Sequence, residues 1–111
     1  SGVKTIGPYA FYYSRIQSIS LPEGLTTIGY NAFELADLRG TVTIPSTVTS
    51  IGSNAFYKAK TWTSFNYYMT KIVNKTNRAF DWRSITGGPS AANFVTGTVE
   101  NWYGDIEVVR G

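Results

Sequence analysis

The sequence predicts an α/β solenoid of about three coils, built of parallel strands and short helical turns and closed by a β-rich C-terminal segment. The phrase Ile-Gly-x-x-Ala-Phe occurs three times, beginning at Ile6, Ile28 and Ile51, so successive copies start at nearly equal intervals. An aliphatic residue followed by proline recurs with the same period, at Leu21-Pro22 and Ile44-Pro45. Self-similarity with a fixed period of roughly 20 to 30 residues is typical of stacked repeats, which bury their apolar faces only against each other.

Each copy is predicted to contain one half-buried strand, because apolar residues alternate with small polar ones between the phrases. The second copy has one extra residue near Gly40, and Pro22 and Pro45 end the strand because proline donates no ladder hydrogen bond. The apolar columns, with one residue from each copy, are Ile16, Leu38 and Trp62; Ile19, Val42 and Phe65; and Leu21, Ile44 and Tyr67.

A second short extended piece is predicted at Leu25–Ile28 and again at Val48–Ile51. We expect Gly29 and Gly52 to close these pieces at a corner, which suits a residue tolerant of positive φ.

The Ala-Phe element that follows each glycine is interpreted as a single helical turn on the core. In each copy the large Phe has a small residue one position before it and another three positions after it. Asn31 and Asn54 precede the Ala, and their side chains are expected to bond the turn backbone of neighbouring coils. Tyr9 takes this position in the first copy, where we expect that ladder to be interrupted.

The complete phrase at 42–56, read as V-T-I-P-x-x-V-T-x-I-G-x-x-A-F, resembles the leucine-rich repeats of the BspA-like family of bacterial surface proteins. The resemblance covers about residues 3–67. It implies a leucine-rich-repeat-type, right-handed solenoid at the extracellular face of a bacterial cell, with a non-catalytic, adhesin-type role. The implied partner is a host extracellular or cell-surface protein, with a glycan as the alternative. The family often has Cys where this chain has Ser14, Ala36 and Ala59.

Three segments are predicted. Residues 1–2 are typical of a cloning remnant, 3–67 form the repeats, and 68–111 form a β-rich C-terminal cap. Strand-like runs in and beside the cap are Tyr67–Val73, Phe94–Val99 and Asp105–Val109, while Phe80–Ile85 fits a strand or a short helix. The abrupt start of the repeats at Val3 favours a piece of a longer repeat protein, and we expect a monomer.

The composition argues against several classes of protein. The chain has no Cys and no His, which excludes disulfides and thiolate chemistry and removes the commonest general base. No apolar run reaches the roughly 18 residues of a membrane span. Glu34 and Asp37 are expected on the outside of a turn, and Asp105 and Glu107 fit a polar strand face better than a Ca²⁺ site. We therefore predict no enzyme, no cofactor and no metal.

The net charge of +3 is unevenly distributed. Within 58–83 the only acidic residue is Asp81, whereas the basic residues are Lys58, Lys60, Lys71, Lys75, Arg78 and Arg83. No nucleic-acid motif accompanies them, so an anionic wall polymer, glycan or protein is a better candidate partner than nucleic acid.

The predicted binding surface consists of two rows of small polar side chains on the presumed concave strand face. The rows are Ser18, Thr41 and Ser64, and Ser20, Thr43 and Asn66. The alternative interpretation is that these rows serve only solubility.

Two further hypotheses remain: a carbohydrate-binding surface, and a spacer or cap with no ligand of its own. Aromatic rings outside the apolar columns could bind sugars or peptides, although the tryptophans and Tyr103 could instead pack inside the cap. These residues are Tyr12, Tyr13, Tyr57, Tyr68, Trp82, Trp102 and Tyr103. Asn74-Lys75-Thr76 matches a glycosylation acceptor.

Overall fold

A computed structural model of the chain is mostly strand, and it describes residues 2–57, 59, 69–81, 83–86, 93–101 and 104–111. Within these ranges there is a single four-residue helix, so the predicted helical component is nearly absent. The elements are β1 Thr5–Ile6, β2 Thr27–Ile28, β3 Gly40–Ile44, β4 Ser50–Ile51, β5 Met69–Asn74, β6 Phe80–Asp81, α1 Arg83–Thr86, β7 Asn93–Phe94, β8 Gly97–Asn101 and β9 Gly104–Arg110.

The first sheet takes one short strand from each copy of the phrase. Its strands are parallel and lie in the order β1-β2-β4. Ile28 of β2 lies beside Ile6 on one side and beside Ile51 on the other. The nearly constant interval between copies therefore places equivalent positions of the phrase side by side, as predicted.

The second sheet has the strand order β3-β5-β9-β8, with β3, β5 and β9 parallel and β8 antiparallel to β9. In β3 the predicted alternation is confirmed, because Val42 and Ile44 are buried while Thr41 and Thr43 are exposed. β6 and β7 form a separate antiparallel pair.

Two strand predictions are wrong. Ile44 of β3 pairs with Asn74 of β5, which lies more than one repeat period further along the chain. The residue beside Ile44 in β5 is therefore not Tyr67, the next member of the predicted Leu21 and Ile44 column. Residues 16–21 form no strand in the structure. The predicted strand residues Trp62, Phe65 and Tyr67 lie outside the described residues.

The Ala-Phe elements are chains of β-turns, and the predicted helical turn is wrong. In the second copy the amide of Ala32 donates to Gly29 O at 3.3 Å and the amide of Ala36 donates to Phe33 O at 3.1 Å. Each of these bonds closes a four-residue turn, and the third residue of each turn has positive φ, as in a type II turn.

The asparagines are suited to the backbone conformation of these turns. Asn31 and Asn54 have φ of 56° and 59°, and Asn adopts this region more readily than other residues with a side chain. The predicted side-chain ladder is wrong, since the Asn31 amide group donates to Glu34 Oε1 in its own copy. Main-chain N–H groups at this position join the copies instead, with Asn31 N donating to Ser53 O at 3.0 Å. Tyr9 also donates through its main chain, at 3.2 Å, so the ladder continues in the first copy.

Close approach between copies, not a positive-φ corner, requires Gly29 and Gly52. Neither has positive φ. A Cβ on residue 29 would lie 2.6 Å from Pro8 N, and one on residue 52 would lie 2.6 Å from Tyr30 Cα. The sequence prediction for these two glycines is therefore wrong about the cause, because each lies directly against the backbone of the preceding copy.

The core of the repeats is a column of stacked phenylalanine rings. Phe11 and Phe33 stack with ring centroids 5.2 Å apart, and Phe33 and Phe56 with centroids 5.3 Å apart, with the ring planes within 6°. The alanines that flank Phe33 and Phe56 are fully buried. The small–large–small pattern in the sequence therefore does lie on the core.

Candidate binding surfaces

The second sheet presents one continuous outer face, which we term the outer sheet face. Its first row crosses all four strands, with Thr41 beside Lys71, Lys71 beside Glu107, and Glu107 beside Thr98. Its second row, two residues along each strand, consists of Thr43, Val73 and Val109. Residues between these positions, such as Val42 and Ile72, point into the core, so the strand alternation places both rows on the same side.

The charges on the outer sheet face are balanced. Lys71 Nζ lies 3.8 Å from Glu107 Oε1, and both side chains are about half exposed. An exposed pair of this kind adds little to stability. The half-buried Val73 and Val109 lie in the adjoining row, so the face has a polar, charge-balanced strip beside an apolar one.

Only part of the predicted polar rows lies on this face. Thr41 and Thr43 do, while Ser18 and Ser20 are exposed on residues 16–21, which form no strand. Ser64 and Asn66 lie outside the described residues. The strand positions beside Thr41 and Thr43 in β5 are occupied by Lys71 and Val73.

Sequence reasoning missed Lys71, Val73, Glu107 and Val109 as members of this face. The signal was available in part, since both Tyr67–Val73 and Asp105–Val109 alternate like strands. The alternation does not show which strands pair with each other. The interval in sequence between paired residues of β3 and β5 is longer than one repeat period, so the repeat did not predict this pairing.

Four tyrosines of the first two copies form a second exposed group, the tyrosine cluster. The Tyr9 ring meets the rings of Tyr12 and Tyr30 nearly at right angles, with centroids 5.5 and 5.8 Å apart, and Tyr13 lies 6.2 Å from Tyr12. Each of the four is about half exposed. Tyr12 and Tyr13 were predicted as exposed aromatics. Tyr9 contacts Tyr12 within the first copy, whereas Tyr30 joins the cluster only because the second copy stacks on the first.

Of the other aromatic candidates, only Tyr57 lies within the described residues. Tyr57 is half-buried. Tyr68, Trp82, Trp102 and Tyr103 lie outside the described residues.

A family model described as a BspA type leucine rich repeat region (6 copies) matches residues 1–87, more than three quarters of the chain. The chain belongs to the BspA-type leucine-rich repeat family. The match reaches beyond the 3–67 range of the sequence resemblance and includes β5, β6 and α1. No curated protein and no solved structure gave a match.

Three basic residues in the described part of the 58–83 stretch of this BspA-type repeat chain form ion pairs. Lys75 Nζ lies 3.8 Å from Glu23 Oε1, and Arg83 binds Asp81 at 2.6 Å, in addition to the Lys71–Glu107 pair. The hydrogen bond from the Arg83 side chain, with a second from its backbone N–H, lowers the pKa of Asp81 below its ordinary value. Lys58 and Lys60 lie outside the described residues.

The glycosylation-like motif of the BspA-type chain lies in a buried turn. Asn74 is only 1% exposed. Its Nδ2 donates to Arg78 O at 3.3 Å, and its Oδ1 accepts from Thr76 N at 3.0 Å and from Thr76 Oγ1 at 2.7 Å. These bonds show that Asn74 and Thr76 stabilise a local turn. Because Asn74 is buried, a glycosylating enzyme cannot reach it in the folded protein.

The acidic residues do not converge on a common site in the described part of the chain. Within the ranges given above, no group of three or more potential metal-ligating side chains comes together. Asp37, which was predicted on the outside of a turn, is instead buried, and its Oδ2 lies 3.5 Å from Arg39 Nη2. The side chain of Asp105 lies outside what the structure describes.

Among the residues that the structure describes, no helix is long and apolar enough to cross a membrane.

Proposed function

We propose that this BspA-type repeat chain is a non-catalytic, adhesin-type module at a bacterial cell surface, and that its outer sheet face binds a partner protein. The observation that carries the proposal is the register of β3, β5, β9 and β8, which aligns exposed side chains from four strands on one face. Family membership supports it, since such repeats are generally non-catalytic and typically surface-associated. We further infer that the copies wind as one right-handed solenoid with a β-rich cap, as parallel strands in successive copies support.

The composition of the outer sheet face suits protein recognition. Val73 and Val109 offer apolar area that a partner can desolvate, while the hydroxyls of Thr41 and Thr43 offer hydrogen bonds beside it. β5 and β9 are each hydrogen-bonded to a neighbouring strand on both sides. The backbone that carries their side chains is therefore ordered before a partner binds. Binding to such a preorganised face loses less conformational entropy than binding to a loop.

A charge placed in the apolar row tests this assignment. We expect Thr43→Glu to weaken binding to an immobilised panel of extracellular-matrix proteins at least tenfold, because the new carboxylate would have to be desolvated beside Val73. Thr5→Glu is the matched control, since Thr5 is an exposed strand residue of the other sheet. Equal binding by wild type and a folded Thr43→Glu variant would exclude the outer sheet face as the site.

The second candidate function is carbohydrate binding at the tyrosine cluster. Half-exposed rings that touch one another across two copies offer apolar faces and phenol hydroxyls to a sugar. A sugar-specific signal on a glycan array, lost in Tyr30→Ala and retained in Thr43→Glu on the outer sheet face, would support it. An array without any sugar-specific signal would rule it out.

The third candidate is a spacer or cap that holds a neighbouring domain away from the cell wall. This hypothesis predicts that the chain binds neither the protein panel nor the glycan array.

A further inference from the structure

The turn that follows β5 is held by a network of buried side chains. Asn74 and Thr76 are both buried, and Thr76 Oγ1 donates to Asn74 Oδ1 at 2.7 Å and accepts from Arg78 N at 3.1 Å. Asn74 Nδ2 also donates to Val95 O at 3.4 Å, which joins the turn to the segment that leads into β8. The network fixes the backbone of residues 74–78, so the side chains that this turn exposes are held on an ordered support.

Two arginines meet at this turn. Asn77 and Arg78 are exposed on it. The last residue of β9, Arg110, pairs in register with Asn74, and its Nη2 donates to Asn77 Oδ1 at 3.0 Å. We term Asn77, Arg78 and Arg110 the arginine patch. It lies at the carboxyl ends of the parallel strands β5 and β9, and sequence analysis did not connect Arg110 with the basic stretch.

The positive charge of the arginine patch is not neutralised within the described part of the chain. Neither Arg78 nor Arg110 forms an ion pair with any carboxylate of the described residues. The contact that Arg110 makes with Asn77 is to a neutral amide oxygen, so it leaves the charge unchanged. Lys75 beside the patch differs, because Glu23 Oε1 lies 3.8 Å from its Nζ. Two unneutralised guanidinium groups on one small surface attract anions.

The donors of the arginine patch define the chemistry of its ligand. Guanidinium groups are planar and donate paired hydrogen bonds to carboxylate, sulfate or phosphate oxygens. The Asn77 amide nitrogen is a further donor beside them, and within the described ranges no acceptor binds it. The patch therefore offers donors both to acidic groups and to a neighbouring hydroxyl group.

The surroundings of the patch favour a hydrophilic ligand. Protein interfaces usually centre on aromatic or aliphatic anchors, and single-stranded nucleic acids stack on aromatic platforms. The turn at 74–78 exposes no such side chain. The exposed large hydrophobic residues of the described chain all lie in the first two copies, and they are Val3, Tyr9, Tyr12, Tyr13 and Tyr30. A polymer rich in hydroxyl groups that carries repeated acidic groups suits the patch better than a protein or a nucleic acid does.

We propose that the arginine patch is a binding site for an acidic polysaccharide whose sugars carry carboxylate or sulfate groups. One acidic group binds Arg78, a second binds Arg110, and Asn77 donates to a sugar hydroxyl. The ligand is a polymer because one exposed charge pair contributes little in water, whereas contacts linked along one chain reinforce each other. The inference depends neither on the outer sheet face nor on the tyrosine cluster, because none of their residues belongs to the patch.

The test measures binding of the full chain to polygalacturonate, to dextran sulfate and to neutral dextran by titration calorimetry. We expect binding to at least one acidic polymer and none to dextran, and the tighter of the two acidic polymers identifies the acidic group. Arg78→Ala/Arg110→Ala should weaken that binding roughly tenfold, because two exposed charge contacts are lost together. The matched control is Lys4→Ala/Arg15→Ala, which removes two exposed charges from the first copy and should leave the affinity unchanged.

Several outcomes would overturn the proposal. These are no binding to either acidic polymer, wild-type affinity in Arg78→Ala/Arg110→Ala, or an equal loss in the Lys4→Ala/Arg15→Ala control. Tighter binding of a duplex oligonucleotide than of both acidic polymers would assign the patch to nucleic acid instead. Loss of polysaccharide binding in Tyr30→Ala would place the site at the tyrosine cluster.

Thr76→Val tests whether the ordered turn contributes beyond its charge. The substitution removes the hydroxyl that bonds Asn74 and Arg78 and keeps every charged group. Affinity for the preferred acidic polymer should fall several-fold in Thr76→Val and be retained in Thr76→Ser, which keeps the hydroxyl. Wild-type affinity in a folded Thr76→Val variant would contradict an ordered binding site at this turn.

Discussion

The backbone nitrogen of Pro8 lies 2.6 Å from the position that a Cβ on Gly29 would occupy. Real Cβ atoms essentially never come so close to a backbone atom, so any side chain at residue 29 would force the two copies apart. Gly29 is thus a point of close contact between neighbouring copies. Substituting it tests how much this contact contributes to the stability of the repeats.

Gly29→Ala should destabilise the protein by about 1–3 kcal/mol, the usual cost of overpacking. Gly7→Ala is the matched control, because it adds the same methyl group where the described residues leave room. Chemical denaturation of the two variants measures the difference. Equal free energies of unfolding would show that the copies do not pack at Gly29 as described.

Asn54→Ala should destabilise the protein by about 1 kcal/mol, because alanine does not share the tolerance of Asn for φ near 59°. Asn54→Gly should be close to neutral, since glycine adopts positive φ without a steric penalty. Thermal unfolding of both variants tests this. If alanine and glycine had equal effects, the backbone conformation would not be the reason for Asn at this position.

Phe33→Ala should cost roughly 3–5 kcal/mol, the range for a large buried aromatic side chain. Phe33 is fully buried between two stacked rings, whereas Phe11 stacks on one side only and is half-buried. Phe11→Ala should therefore cost clearly less. A denaturant titration in which Phe11→Ala is the more damaging change would contradict the described ring column.

The Asp81–Arg83 pair should contribute a pH-dependent part of stability. The pKa of Asp81 is lowered in the folded protein, chiefly by the Arg83 side chain, so its contribution is present above the unfolded pKa of about 3.9 and is lost as pH falls through the folded value. Wild type should have a higher midpoint than Asp81→Asn at pH 7, and the two should converge in strong acid. A gap that stays constant across this pH range would exclude the linkage.

The spacing of the phrase was enough to predict that Ile6, Ile28 and Ile51 lie side by side, because copies at nearly equal intervals stack with equivalent positions together. The burial of Phe33 and the alternation of β3 follow from the same pattern. The conformation of the Ala-Phe element did not follow. A large residue between small ones packs equally well on a helical turn or on two β-turns, and only the positive φ of Asn31 and Leu35 separates them.

The candidate site was predicted only in part, for a physical reason. Thr41 and Thr43 could be identified because strand alternation is local. Their neighbours Lys71 and Val73 depend on the pairing of β3 with β5 across a step longer than one repeat, which no local pattern fixes. Tyr9 and Tyr30 likewise become one surface only when adjacent copies stack.

Binding of the purified chain to immobilised extracellular-matrix proteins, at about 0.1 M and 1 M salt, tests the central functional claim most directly. Raising the salt shortens the Debye length from about 10 to 3 Å. We expect binding to at least one protein, weak salt dependence because Lys71 and Glu107 neutralise each other on the outer sheet face, and loss of binding in Thr43→Glu. No binding at either salt concentration, or full binding by the Thr43→Glu variant, would contradict a protein-binding outer sheet face.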